Sequence, residues 1–169
     1  RYPIYSHFEG TGICLTFDNY CGTEPITIEK ATVYVDGKFY PVTFGHQTSV
    51  TIPAGEHAIS DGLKCYVRAQ STFDVSFYLK DYTQMRSVVF TCGPLSYGSY
   101  AIGDWTEEVH LPIELSRTTH YFYFLSNVSV YTSSKNRTVV CYGDSITAQD
   151  WPDYLKLRCQ KEGYDHTAI

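Results

Sequence analysis

Apolar and polar residues alternate in short runs through most of the chain. In 13–17 and 73–79 nearly every second side chain is apolar, which places one face of a strand against a core and the other in water. Other apolar runs predict strands at 26–35, 50–52, 63–67, 88–91, 108–113 and 121–131. Many short strands separated by turn residues predict a mainly β protein, an antiparallel sandwich of jelly-roll-like form.

One turn is specified by two residues. Asp36-Gly37 lies between an apolar run that ends at Val35 and another that begins at Lys38. A two-residue hairpin turn needs positive φ at both central positions, and Asp-Gly meets that need. The sequence therefore predicts a β-hairpin centred on these two residues.

The pattern changes after the polar stretch 133–137. Residues 138–142 form a continuous apolar run, which is typical of a strand buried on both faces in a parallel sheet. Residues 143–147 turn the chain, and 167–169 predict the start of a second strand. Together these segments predict the opening of a βαβ unit.

A helix is predicted between the two strands of this unit. Asp150 is placed to cap a helix from about residue 151 to 162, and Gly163 suits its C-terminal end. Trp151, Leu155 and Cys159 recur every four residues and predict one buried face.

Composition and charge narrow the function classes. The 169 residues are 43% hydrophobic and 16% aromatic, and 16 Tyr and 9 Phe favour β structure. A formal net charge of −5 argues against a large nucleic-acid interface, which needs clustered Lys and Arg. No apolar run approaches the roughly 18 residues of a membrane span.

The six cysteines are scattered along the chain without any Cys-x-x-Cys pair or His pair at metal spacing, so no metal site is predicted. Apolar residues surround Cys14, Cys65 and Cys141, which favours buried free thiols over a disulfide framework. Free thiols in turn favour a reducing compartment such as the cytoplasm over secretion.

One short motif can carry chemistry. Gly143-Asp144-Ser145 follows the apolar run and precedes the predicted helix. This turn would expose the Ser145 hydroxyl at the carboxyl end of a parallel strand, where open α/β sheets place their sites. Backbone N–H groups at the helix start could stabilise an oxyanion beside it. The alternative is an ordinary Asx or Ser turn without a catalytic role.

The residues from Val139 to Thr147 resemble the first block of the SGNH/GDSL hydrolases, which are esterases and lipases of flavodoxin-like α/β architecture. Upstream segments are similar to the β-sandwich domain that precedes the hydrolase domain in a bacterial branch of that family. These segments are Leu15-Thr16-Phe17-Asp18-Asn19, Gly22-Thr23-Glu24-Pro25, 50–55 with Ser60-Asp61, and 75–79.

The resemblance implies two domains, a β-sandwich at 1–134 and the incomplete start of a hydrolase domain at 135–169. Ser145 would be the nucleophile and donate its own N–H to the oxyanion, Asp144 would order the loop, and Gly143 would permit the turn. The family's other oxyanion donors and its Asp-x-x-His pair would follow Ile169. Small acyl esters, lipid esters or acetylated sugars would be substrates, and no cofactor or metal would be needed.

A histidine within the chain could in principle replace the missing base. His166 stands beside Asp165, yet the predicted helix separates it from Ser145. The other histidines belong to the β region, where ordinary surface or hydrogen-bonded roles are expected. We therefore expect no esterase activity from these 169 residues alone.

A second hypothesis makes the β region a carbohydrate- or partner-binding module. Tyr97, Tyr100 and Trp105 lie among Gly, Ser and Pro residues, so they predict an aromatic loop that could stack on sugars. The alternative is that these rings cover the sandwich core or its interface with the hydrolase domain.

Overall fold

A computed structural model describes all 169 residues. It contains fifteen strands and one helix. In chain order these are β1 (Tyr2–Ser6), β2 (Ile13–Asp18), β3 (Ile26–Ile28), β4 (Lys30–Val35), β5 (Lys38–Pro41), β6 (Val50–Ile52), β7 (His57–Ile59), β8 (Ser71–Tyr78), β9 (Val88–Phe90), β10 (Gly98–Tyr100), β11 (Arg117–Thr119), β12 (Tyr121–Tyr123), β13 (Leu125–Val130), β14 (Arg137–Thr138), α1 (Trp151–Lys161) and β15 (Thr167–Ala168).

Two antiparallel sheets form most of the β structure. One has four strands in the order β1-β8-β4-β5, and the other has three in the order β13-β2-β7. Three antiparallel pairs accompany them, β3 with β6, β9 with β12, and β10 with β11. The prediction of a mainly β, antiparallel protein is confirmed.

The hydrophobic core draws on both sheets. Ile13, Leu15 and Phe17 of β2 are fully buried, and they belong to the same cluster as Val33 of β4 and Val75 of β8. Each strand contributes every second residue, because successive side chains in a strand point to opposite faces. The alternation seen in the sequence therefore identifies the residues that stabilise the fold.

The predicted hairpin is confirmed. Asp36 has φ of 52° and Gly37 has φ of 78°, so both central residues adopt the left-handed conformation that a type I′ turn requires. Val35 pairs with Lys38, and β4 and β5 remain in register up to Thr32 and Pro41.

Two predicted strands are wrong. Residues 63–67 form only isolated bridges, in which Val67 pairs with Gly10 and Leu63 with Ile13. Residues 108–113 form a loop, and Pro112 accepts turn hydrogen bonds from the N–H groups of Leu115 and Ser116. A proline cannot donate to a sheet ladder, which explains why the apolar residues beside it do not extend into a strand.

The predicted strand at 121–131 is divided in two. Phe124 separates β12 from β13, and its φ of 61° is left-handed. Its N–H donates to the carbonyl of Ser87, and its carbonyl accepts from the N–H of Asp18. Because the Phe124 side chain is also buried in the core, packing holds a backbone conformation that a phenylalanine seldom adopts.

All six cysteines are free thiols. Cys65 is the only one of them that is buried, and burial raises the pKa of its thiol. Cys14 and Cys141 are partly exposed, which corrects the expectation that all three apolar-flanked thiols are buried.

The C-terminal segment forms the predicted β–α–β order. Strand β14 pairs in parallel with β15, and α1 connects them. The run at 138–142 differs from expectation, since the ladder ends at Thr138 and the last bond to β15 runs from the N–H of Val139 to the carbonyl of Ala168. Val140 is 80% exposed and Tyr142 is 98% exposed. The prediction of a strand buried on both faces is therefore wrong for this chain, because no strand or helix covers it.

Helix α1 confirms the predicted helix, but the predicted side-chain cap is absent and the predicted buried face is wrong, since Trp151 is exposed and Leu155 and Cys159 are only partly buried. Asp150 occupies the N-cap position but makes no side-chain capping bond. Gly163 is left-handed, with φ of 76°, and follows the C-terminal end as predicted. No residue of α1 is fully buried, because the helix lies at the surface of the β region.

Candidate functional site

Ser145 lies in a turn that Asp144 organises. The Asp144 carboxylate accepts a hydrogen bond from the N–H of Ile146 at 2.9 Å. The Asp144 carbonyl accepts from the N–H groups of Thr147 at 3.0 Å and Ala148 at 3.2 Å. One residue thus fixes three successive backbone N–H groups after the serine.

The backbone N–H of Ser145 itself makes no hydrogen bond, and neither does its hydroxyl. The residue is exposed to solvent. Helix α1 begins only at Trp151, so Ser145 precedes the α-helix by a full turn of chain and is not at its first residue. Any oxyanion stabilisation here comes from the free N–H of Ser145 more than from the helix dipole, which acts within the terminal turn.

Gly143 has a steric reason to be glycine. A Cβ atom at this position would lie 2.1 Å from Oγ1 and 3.0 Å from Cβ of Thr147. Contacts that short force a neighbour to move, so a side chain at 143 would displace the side chain of Thr147. The structure thereby places Gly143, Asp144 and Ser145 in one small loop.

No histidine joins this loop. His166 bonds through Nδ1 to Oδ1 of Asn136 at 2.8 Å, beside the start of β14. His7 is buried and contacts the carbonyl of Tyr164 through Nε2 at 3.1 Å. His120 contacts the carbonyl of Ser96 through Nδ1 at 2.9 Å. A serine needs a base within hydrogen-bond reach, and the contacts of Ser145 include none.

Asp153 connects helix α1 to the β region, a role that the sequence did not indicate. Its Oδ2 accepts from the N–H of Leu95 at 2.8 Å, and the hydroxyl of Ser96 lies 3.0 Å from each carboxylate oxygen. A Cβ on Gly93 would lie 2.1 Å from Oδ2, so glycine is required for this approach. We call Asp153 with residues 93–96 the helix clasp.

Lys156 adds a second contact on the same helix. Its ammonium lies 4.4 Å from the centroid of the Tyr5 ring, which is cation–π geometry. Burial lowers the pKa of Lys156, and the nearby carboxylate of Asp153 opposes that change. A sequence offers no signal for either contact, because the partners lie in distant parts of the chain.

The helix clasp predicts that Asp153→Ala loosens α1 without unfolding the sheets. Hydrogen bonds to a charged acceptor contribute about 1.5–3 kcal/mol, so the amides of α1 should exchange with deuterium about tenfold faster or more. Hydrogen-exchange mass spectrometry measures this. Glu162→Ala is the matched control, because Glu162 makes only an exposed pair with Arg158, which is worth about 0.5 kcal/mol. Equal exchange in both variants would contradict the clasp.

The predicted aromatic loop is only partly a loop. Tyr100 ends strand β10, and Trp105 is partly buried with its indole N–H donating to the carbonyl of Ile102 at 2.8 Å. Both line a cavity of about 1040 Å³, whereas Tyr97 does not. Ser145 does not line it either, so this cavity and the Ser145 turn are separate features.

No group of three or more His, Cys, Asp or Glu residues is arranged to hold a metal ion. The helix also lacks the length and apolar character needed to cross a bilayer. No protein-family model matches this chain. No curated protein matches it either.

Proposed function

We propose that the chain is the N-terminal part of a serine ester hydrolase of the SGNH/GDSL type, with Ser145 as its nucleophile. The observation that carries this proposal is the Ser145 turn. Its hydroxyl and N–H are both exposed and unpaired, while Asp144 engages the next three N–H groups. A nucleophile and an oxyanion donor are thus presented together on an ordered loop.

The chemistry requires one further group, a base. Ser145 Oγ would attack the carbonyl carbon of an ester while its proton passes to that base. The resulting oxyanion would accept a hydrogen bond from the Ser145 N–H, and the alcohol would leave with the proton returned by the same group. Water would then add to the acyl-enzyme and release the carboxylic acid, which regenerates the serine. Neither oxidation nor a cofactor enters these steps.

The proposal divides the chain at about residue 134. Residues 1–134 would form a β-sandwich of jelly-roll-like form, supported by the shared core of the two antiparallel sheets. Residues 135–169 would begin a flavodoxin-like hydrolase domain, supported by the parallel pairing of β14 with β15 across α1. Jelly-roll and flavodoxin-like topologies are inferences from the resemblance and from these pairings.

Exposed apolar residues also support the proposed hydrolase domain. Val140, Tyr142 and Ile146 are 80%, 98% and 65% exposed. Parallel sheets are almost always covered on both faces, and a parallel pair of two-residue strands cannot bury such side chains. We infer that further strands and helices of the hydrolase domain cover them in the parent protein and supply the acid–base pair.

The substrate class follows from the proposed chemistry alone. An acyl-enzyme mechanism suits small acyl esters, lipid esters and acetylated sugars. Ser145 is exposed to solvent, so its surroundings do not favour one of these three ester classes over the others.

A comparison of two chains tests the proposal. We expect the 169-residue chain to leave p-nitrophenyl acetate at its buffer hydrolysis rate, because its Ser145 has no base. A longer natural chain that continues into an Asp-x-x-His segment should hydrolyse the same ester with burst kinetics. Turnover by the 169-residue chain that depends on Ser145 would contradict the requirement for a downstream base, and an inactive longer chain would contradict the esterase proposal.

A further inference from the structure

The cavity of about 1040 Å³ has exposed aromatic rings on its walls. Phe90, Tyr100 and Tyr121 line it and are each about half exposed. Phe90 and Tyr121 face each other across β9 and β12, with ring centroids 5.1 Å apart. None of the three belongs to the buried hydrophobic core. Their apolar faces are therefore available to a ligand.

Polar groups with free hydrogen-bonding capacity surround these rings. The hydroxyls of Tyr100, Tyr121 and Thr118 and the ammonium of Lys80 make no hydrogen bond or ion pair within the chain. A site lined by rings and free hydroxyls can stack on a ligand and pair with its polar edge at the same time.

The charged residues that line the cavity argue against a nucleic-acid ligand. No Asp or Glu lines it, although the chain contains 18 of them. The guanidinium of Arg1 is already engaged by the hydroxyl of Ser76 and the carbonyls of Trp105 and Val109. Lys80 is then the only free cation, and one cation is too few for the multiple phosphate contacts of a nucleic acid.

A hydrocarbon chain also fits poorly. It would remove water from the free hydroxyls without pairing them, and each unpaired buried polar group costs about 1–3 kcal/mol. A sugar ring instead presents apolar C–H faces to aromatic rings and hydroxyls around its rim. The volume of about 1040 Å³ is just above the ~300–1,000 Å³ of small-molecule sites, which favours several sugar units over one.

We propose that this cavity, which we call the aromatic cleft, binds an oligosaccharide through stacking on Tyr121, Phe90 and Tyr100 and through hydrogen bonds to the surrounding hydroxyls. The binding site is separate from the Ser145 turn. It does not depend on the proposed hydrolysis, since no residue of the turn lines the cleft.

Isothermal titration calorimetry tests the cleft. The probes are hexasaccharides of β-1,4-linked glucose, xylose and N-acetylglucosamine and of α-1,4-linked galacturonic acid. At least one should bind the 169-residue chain with a Kd of about 1 mM or tighter. Tyr121→Ala should weaken binding roughly two- to twelvefold, since an aromatic contact contributes about 0.5–1.5 kcal/mol. Tyr121→Phe, which keeps the ring, should lose less.

Tyr66→Ala is the matched control, because Tyr66 is exposed, lies outside the cleft and bonds only to Glu9. It should bind as the unaltered chain does, and so should Ser145→Ala. Lack of binding by all four sugars, or equal binding by Tyr121→Ala, would overturn the proposal. Binding that is lost in the longer hydrolase would also overturn it, because the cleft would then be an interface between domains.

Discussion

Asn19→Asp is expected to destabilise the β-rich part of the chain by about 3–5 kcal/mol at neutral pH. Asn19 is fully buried. Its side-chain NH₂ donates to the carbonyls of Glu24 at 2.8 Å, Ile52 at 3.2 Å and Pro53 at 3.3 Å. A carboxylate there would face three carbonyl oxygens without a proton to donate, and it would bring an unpaired charge into the core.

The backbone of Asn19 makes the site harder to rearrange. Its N–H donates to the carbonyl of Glu56, and its carbonyl accepts from Gly22 and Gly55 at 3.0 Å. A Cβ on Gly22 would lie 1.9 Å from Oδ1 of Asn19. The residue therefore joins the turn after β2 to the turn between β6 and β7, and neither turn can move away alone.

Urea unfolding and thermal melting followed by circular dichroism measure the Asn19→Asp effect. We expect the melting temperature to fall by about 10 °C. The penalty should shrink at lower pH, because a protonated carboxyl carries no charge and regains one donor. Asn127→Asp is the control, since Asn127 is exposed on β13 and bonds only to Ser129. Similar losses in the two variants would contradict the proposed role of Asn19.

Local rules predicted the parts of the fold that depend on neighbours in sequence. The Asp36-Gly37 hairpin was predictable because the required φ angles are local. The burial of Ile13, Leu15 and Phe17 followed from alternation. Gly143 and Asp144 were predictable as turn residues because the preference of Gly and Asp for turns is also a local property.

Long-range contacts explain what the sequence could not predict. Phe124 adopts a left-handed backbone because its ring packs in the core. Asp153 lies in the first turn of α1, and its carboxylate accepts a hydrogen bond from Ser96, 57 positions away. Val140 has the apolar character of a buried strand but is exposed, since burial depends on neighbours that a local pattern does not contain.

For the proposed parent hydrolase, whose chain would continue into an Asp-x-x-His segment, Ser145→Ala should abolish ester hydrolysis. Removing a catalytic serine lowers kcat on the order of 10³–10⁶-fold, and the oxyanion donor and binding groups account for what remains. The backbone N–H of residue 145 is retained in this variant. The expected loss of kcat therefore reports on the nucleophile alone, because oxyanion stabilisation by this N–H is unchanged.

The Ser145→Ala substitution tests catalysis separately from stability, because Ser145 contributes little to folding. Its side chain is exposed and makes no hydrogen bond, so Ser145→Ala should leave the free energy of unfolding within about 0.5 kcal/mol. Ser134→Ala is the matched control, since Ser134 is also exposed and unpaired, and it should keep full activity. A Ser145→Ala protein that melts normally yet retains more than about a tenth of the wild-type kcat on p-nitrophenyl acetate would exclude Ser145 as the nucleophile.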